Sequence, residues 1–202
     1  MMQIRQARLS DATALTRIAA LTGNAGADAT PIFHDPSLIA QVWALPYLSV
    51  KPSIALVVEE NGEVAGYVVG TPDSRKFEAN AEQEWWPRLR MRRPPSVMTP
   101  EQTGDARYFA LFRAPPRAPD VLLADYPAHL HLNILPQTQG RGNGPALAQA
   151  WLQQARSLGV TGAHVGVSAT NARGLVFWQK QGFSPLNGLN LPDGAIWLGT
   201  RL

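Results

Sequence analysis

The chain has 202 residues, 45% of them hydrophobic and only 16% charged, with no cysteine and a formal net charge of +3. That length corresponds to about one and a half typical domains and buries a full core without cross-links. The absence of cysteine excludes a disulfide framework, a thiolate metal site and a cysteine nucleophile, and four histidines leave little room for a histidine metal site.

Gln3 to Arg8 reads as a short strand. Ser10 or Asp11 then caps a helix in which Leu15, Ile18, Ala19 and Leu21 recur at helical spacing, up to Gly23. Charged residues at 5, 8 and 11 interrupt what would otherwise be a leader segment, so a cytoplasmic location is expected. Asn24 to Pro31 reads as a loop, and Asp35-Pro36 opens a second short helix carrying Leu38, Ile39, Val42 and Trp43. Next comes the clearest hairpin: Ile54 to Glu59, the turn Glu60-Asn61-Gly62-Glu63, then Val64 to Gly70. Asn-Gly supplies the positive φ angles of a type I′ turn. Its run Ile54 to Val58 is the longest wholly apolar one and far shorter than the about 20 residues that span a bilayer, so no membrane partner is expected.

From Thr71 to Pro127 prolines break the pattern. A helix is predicted around Ala81 to Arg90 and a short strand near Tyr108 to Phe112. Phe77, Trp85, Trp86, Tyr108, Phe109 and Phe112 make the stretch too aromatic for a disordered linker, so it reads as an ordered insertion packed on the core. Within it lie Arg88, Arg90, Arg92 and Arg93. Such a run could meet phosphate, but no aromatic is interleaved with the arginines as a single-strand groove would want, and a solvated helix end is the reading preferred to a nucleic-acid surface.

Order returns with a strand over Ala128 to Leu135, a helix over Pro145 to Leu158, and a strand over Ala163 to Val167. A helix capped by Asn171 then runs through Gln181 to Gly182, and a last strand covers Ala195 to Leu202. The sum is an α/β (α+β) architecture: a mixed central sheet flanked by helices, read as a single domain over 1–202 with an insertion at about 71–127.

The stretch Leu132 to Gly144, LNILPQTQGRGNG, lies between a strand and a helix. Glycines at 140, 142 and 144 let the backbone approach a ligand closely, and the following helix N-terminus offers unpaired amides. This reads as a phosphate or pyrophosphate cradle, with a plain glycine-rich turn as the alternative. No lysine is present for a Walker loop, and the G-x-G-x-G spacing does not fit a dinucleotide fingerprint.

The loop resembles the acetyl-CoA signature Q/R-x-x-G-x-G/A of the GNAT superfamily of N-acetyltransferases, with Gln139, Gly142 and Gly144 on its fixed positions. NARGLVFWQKQGF, Asn171 to Phe183, resembles the family's second signature. The stretches TPDSRKFE, EWWPRLR and YPAHLHLNILPQTQGRG are similar to the acetyltransferase-like domain at the C-terminus of O-GlcNAcase and its free-standing bacterial relatives. The resemblance implies a GNAT-like fold and direct transfer of an acetyl group from acetyl-CoA, as cosubstrate, to an amine of unknown identity. It also leaves open a catalytically weak module that only binds acetyl-CoA. No metal is implied, and monomer and homodimer are both open.

Under that resemblance, main-chain amides of Gln139, Gly140, Arg141, Gly142, Asn143 and Gly144 bind the pyrophosphate of CoA. Ile134 and Leu135 pair with the pantetheine arm as an added strand, and Asn171, Gly174, Phe177 and Trp178 contact CoA from the helix. Trp178 departs from the family, where a tyrosine commonly protonates the leaving thiolate. An indole N–H cannot act as an acid near neutral pH, although a thiolate of pKa about 8.5 can leave unprotonated. Trp178 is also placed to pair with Phe183 across a Schellman cap at Gly182.

No catalytic base is assigned. His129 and His131 share a strand face with Asn133. Counting back from Gln139 to the positions where family members carry a base gives Leu130 and Ala128 instead, which puts the histidines on the wrong face unless a bulge shifts the register. Asp73, just past the hairpin, is the other candidate, while His34 and His164 are isolated and read as structural.

Overall fold

In the computed structural model, residues 2–92 and 103–202 are described. Seven strands form one sheet: β1 (Met2–Gln6), β2 (Ile54–Glu60), β3 (Glu63–Thr71), β4 (Ala128–Ile134), β5 (Gly162–Ser168), β6 (Ser184–Pro185) and β7 (Ala195–Arg201). Their order is β1-β2-β3-β4-β5-β7-β6, and every pairing is antiparallel except β4 with β5. The architecture is the expected mixed sheet flanked by helices.

Nine helices accompany it among the described residues: α1 (Ala12–Thr22), α2 (Ser37–Trp43), α3 (Pro46–Ser49), α4 (Ser74–Glu84), α5 (Trp86–Arg90), α6 (Thr103–Arg113), α7 (Asp120–Leu123), α8 (Asn143–Ser157) and α9 (Ala172–Lys180). None is long and apolar enough to cross a membrane.

The sheet separates two apolar cores. On one face Leu147, Trp151 and Ala155 of α8 meet Ile54, Val68, Leu130 and Ile134, joined by Trp178 and Phe183. On the other, Leu15 and Ile18 of α1 and Leu38 of α2 pack on Val57, Tyr67 and Val69. The insertion completes this second core with Phe77, Trp85, Trp86, Leu89, Tyr108 and Phe112, so its described residues pack as an ordered part of the fold.

Several predicted elements are redrawn. Asn61 and Gly62 take φ of 54° and 85°, as the hairpin turn requires. Asp11 stands at the N-cap of α1, but its carboxylate turns back to Arg5 and to the Arg8 amide. The helix expected over Ala81 to Arg90 is two helices, α4 and α5. Pro87 lacks an N–H and sits in the first turn of α5, where none is needed. The strand expected at Tyr108 to Phe112 is instead part of α6, because Tyr108, Phe109 and Phe112 are all buried, a spacing that a helix face satisfies and an alternating strand does not.

Candidate functional site

Strands β4 and β5 pair only at Ala128↔Ala163 and His129↔His164, after which they part. The other edge of β4 stays paired to β3 from Thr71↔His129 to Gly66↔Ile134 without a bulge. Past the strand end, the Leu135 amide donates to Ala65 O at 2.9 Å on the β3 side. Strand alternation then directs the main-chain groups of Leu132 and Ile134 into the opening. Of the two residues expected to pair with a pantetheine arm, Ile134 faces the opening and Leu135 has its amide committed elsewhere. The Ile134 carbonyl accepts from Gln139 Nε2 at 3.0 Å, so the first loop residue is tied to the strand end.

The loop itself is a left-handed turn. Gly140 and Gly142 have φ of +77° and +85°, and a Cβ at either would meet nothing within 4 Å. These glycines are needed for backbone conformation and leave the space above the turn open. Gly142 is the N-cap of α8, and the amides that follow have no acceptor within the helix. Gly144 serves packing instead: a Cβ there would stand 3.0 Å from the Phe177 ring. An open turn with free amides at the positive end of a 15-residue helix suits a pyrophosphate.

The side chains of the loop are held by protein partners. Arg141 Nη1 pairs with Glu60 at 3.1 Å, and buried Asn143 donates from Nδ2 to Glu60 at 2.7 Å and to Thr138 O at 3.1 Å. The Asn143 Oδ1 is the one buried side-chain polar atom without a partner among the described residues. Arg173 of α9 donates to Gln139 Oε1 at 2.6 Å, bringing a cation beside the turn that the sequence did not single out.

Helix α9 begins and ends as the sequence predicts. Asn171 Oδ1 accepts from the Gly174 amide at 2.8 Å, an N-cap bond. At the other end Phe183 N donates to Trp178 O at 3.1 Å and Gly182 N to Gln179 O at 3.0 Å, with Gly182 at φ +87°. That is a Schellman cap, and its apolar pair is Trp178 edge-on to Phe183 with ring centroids 4.9 Å apart. Phe177 also packs against Trp178, with ring centroids 5.1 Å apart.

On the sheet face opposite α8 lies a cavity of about 520 Å³, at the root of the β4–β5 opening. Trp43, Tyr47, Phe77, Trp86 and Trp197 form aromatic walls, and His129, His131 and His164 converge on it. The unbulged register therefore puts His129 and His131 on the cavity, and the face judged wrong in the sequence is the one with open space. His164 is not isolated: its ring lies 5.7 Å from that of His129. The signal that could have marked it is a histidine within an otherwise apolar strand. Asp73 does not line the cavity. It N-caps α4, accepting from the Lys76 amide at 3.0 Å.

Protons in the cluster can be assigned by counting. Ser74 Oγ lies 2.7 Å from Pro127 O, and that contact needs the single serine proton. His129 Nδ1, also 2.7 Å from Ser74 Oγ, must then be the donor. Its Nε2 accepts from Tyr47 Oη at 2.7 Å. His164 Nδ1 donates to Tyr126 O at 2.8 Å, which leaves its Nε2 with a lone pair and no partner among the described residues. Burial pushes all three imidazoles down: His129 well below the ordinary range, with His164 and His131 adding repulsion, and His131 and His164 to about 4. All three are neutral at pH 7. Among the described residues no group of three or more His, Asp or Glu is arranged to hold a metal ion.

Three arginines of the run are engaged by the protein itself. Arg88 lies 3.6 Å over the Trp85 ring, Arg90 forks onto Glu82 and bonds Phe112 O at 3.1 Å, and Arg92 meets Asp35 at 2.9 Å. Arg93 lies outside the described residues.

Residues 24–183 match the acetyltransferase (GNAT) family. The chain belongs to the GNAT acetyltransferases. The GNAT match takes in both the glycine turn and the Gly182–Phe183 cap. Among solved structures, SsHAT is 29% identical, covering 99% of this chain and 98% of that one with a TM-score of 0.79. The putative acetyltransferase yncA from Salmonella typhimurium, solved with acetyl-CoA, is 20% identical over 100% and 94% of the two chains at a TM-score of 0.54. The paia N-acetyltransferase from Thermoplasma acidophilum, in complex with coenzyme A, is 11% identical over 100% and 99% at 0.57. At those identities the last two share the GNAT fold.

Proposed function

We propose that this chain binds acetyl-CoA and transfers its acetyl group directly to an amine, as one unit spanning 1–202 whose insertion at 71–127 shapes the acceptor end. The carrying observation is the left-handed Gly140–Gly142 turn at the start of α8, open above and adjoining the β4–β5 opening. Amides from Gly140 to Gly144 hold the pyrophosphate, the Gln139 amide expected to join them being turned to Pro136 O at 3.3 Å; the Ile134 main chain aligns the pantetheine arm, and Phe177 and Trp178 back it from α9. The yncA and paia structures, which carry acetyl-CoA and CoA, support this choice of ligand. In the transfer the amine lone pair forms the new N–C bond, the C–S bond breaks, the sulfur leaves with the electron pair, and the proton lost from nitrogen passes to solvent. No acyl-enzyme is needed, and the chain has no cysteine to form a thioester one.

Calorimetry with acetyl-CoA tests the binding. The wild type should bind, and Gly142→Glu should abolish binding with an unchanged far-UV spectrum, because a carboxylate then stands where the pyrophosphate lies. Absence of wild-type binding overturns the reading. A second reading, a module that binds acetyl-CoA without efficient transfer, is favoured by Trp178 at the position where GNAT relatives commonly carry tyrosine. It predicts binding with no amine-stimulated release of free CoA.

A further inference from the structure

The cavity's charges are already matched. Among the described residues two carboxylates line it, Glu78 and Glu82. Glu78 is paired with Arg75, lies 3.5 Å from Arg117 and accepts the Ala118 amide at 2.7 Å. Glu82 is forked by Arg90. Arg75 and Arg117 themselves face the cavity, and the rest of the polar side-chain lining is uncharged: three imidazoles that burial holds neutral, the Tyr47 hydroxyl bonded to His129, and the indole N–H groups of the tryptophans. An alkylammonium entering this space would lose its water and find no free anion, a costly transfer. A neutral amine would find aromatic faces and nitrogen lone pairs.

We propose that the cavity is the acceptor site and takes an amine that is uncharged at neutral pH and carried on a flat apolar body, an arylamine in chemical class, with the His164 Nε2 lone pair receiving its N–H. This rests on the acetyl-transfer reading for its function, although the recognition itself does not depend on the glycine loop. His164 is suited to the role because Tyr126 O holds its Nδ1 proton and so fixes which nitrogen faces the ligand. His129 has both nitrogens occupied and offers the ligand neither. A low-pKa amine already carries its lone pair, so no base need deprotonate an ammonium first. On attack the N–C bond forms, the C–S bond breaks, and the N–H proton passes through His164 Nε2 or water to solvent while the thiolate leaves.

The test uses a shape-matched pair, p-anisidine and 4-methoxybenzylamine, titrated into the full chain with saturating CoA and followed by tryptophan fluorescence, since three tryptophans line the cavity. At pH 7 p-anisidine should bind at least tenfold more tightly, and the gap should narrow sharply at pH 9.5, close to the pKa of the benzylic ammonium, where the neutral form is no longer a trace. The cavity histidines are neutral throughout, and burial keeps the Tyr47 hydroxyl protonated. His164→Asn keeps a donor for Tyr126 O and removes Nε2, so it should weaken p-anisidine about tenfold. If that variant fails to fold, the wild-type comparison still decides. Equal or tighter binding of the benzylamine at pH 7 overturns the proposal, as does binding of neither amine by protein that binds acetyl-CoA. Selective p-anisidine binding by protein that does not bind acetyl-CoA would uphold the cavity chemistry and overturn the transfer reading.

Discussion

Tyr47 and His129 stand 2.7 Å apart, and the proton between them belongs to the tyrosine. That assignment follows from Ser74, whose only proton is held by Pro127 O, so His129 presents Nδ1–H to Ser74 and a lone pair to Tyr47. One backbone carbonyl of the insertion thereby fixes the tautomer of a strand histidine.

Replacing Tyr47 with Phe isolates this bond, because the ring stacks on Phe77 at 4.4 Å and 4° and that stack survives. The His129 Nε2 is left without a donor. Unfolding in urea should show a loss of about 1–3 kcal/mol. Unchanged stability would mean that water from the cavity replaces the hydroxyl at no cost.

Gly70 holds β3 close to β4 beside the same histidine. It pairs with Leu130, and a Cβ there would lie 2.2 Å from His129 O and 2.8 Å from the Trp151 ring. The obstacle is backbone, which cannot rotate away. Gly70→Ala should therefore cost about 1–3 kcal/mol, read as a lowered melting temperature, whereas Gly62→Ala at the exposed hairpin turn meets no neighbour and loses only its favourable φ.

These examples also mark what was legible in the sequence. The Asn61-Gly62 turn, the Gly140–Gly142 loop and the Gly182 cap rest on local backbone chemistry, and each lies where it was read. The cavity depends on residues brought together by topology. His129 and His164 meet because β4 and β5 pair in parallel, a contact across 35 positions of chain that no local pattern signals. The aromatic run at Tyr108 to Phe112 has the composition of a strand, and tertiary burial against Leu89 and Trp86 decides for helix.

Trp178 is a second packing test. It joins Phe177 and Phe183 under the cap of α9 and is buried. Trp178→Ala should cost about 3–5 kcal/mol by urea denaturation. Trp178→Phe should cost less than half of that, since an aromatic edge still meets Phe183. Equal losses would mean that the indole itself carries the contact.

The histidine cluster gives the fold an acid-side weakness. His131 and His164 bind a proton near pH 4 in the folded chain and near 6.5 when unfolded. Well above pH 6.5 neither state is protonated and stability is complete. Between 6.5 and 4 the unfolded chain takes up protons that the folded chain refuses, so stability falls, by about 1.4 kcal/mol per pH unit for each histidine at most. Asp11 and Asp35, held below their usual range, add losses only at more acid pH. Urea midpoints at pH 7.5 and 5.0 should differ clearly in the wild type and less in His131→Phe; identical midpoints would contradict neutral burial.

Glu60 is an anion placed against the proposed pyrophosphate cradle. One of its oxygens steadies Asn143 at 2.7 Å and the other engages Arg141 at 3.1 Å, so the carboxylate both shapes the turn and occupies the cation nearest to it. Glu60→Gln separates the two effects, because the amide oxygen still accepts from Asn143 while Arg141 is released toward the ligand. The exposed pair itself is worth at most about 1 kcal/mol to folding, so stability should hardly move. Acetyl-CoA should bind about 3- to 10-fold more tightly at low salt, and the gain should shrink as ionic strength rises. Glu60→Ala should do the opposite despite the same loss of charge. It strips Asn143 of its better acceptor when that side chain already has one buried oxygen unpartnered, and the turn loses the strut that holds it open. If calorimetry finds both variants tighter than wild type, Glu60 acts on the cradle through charge alone.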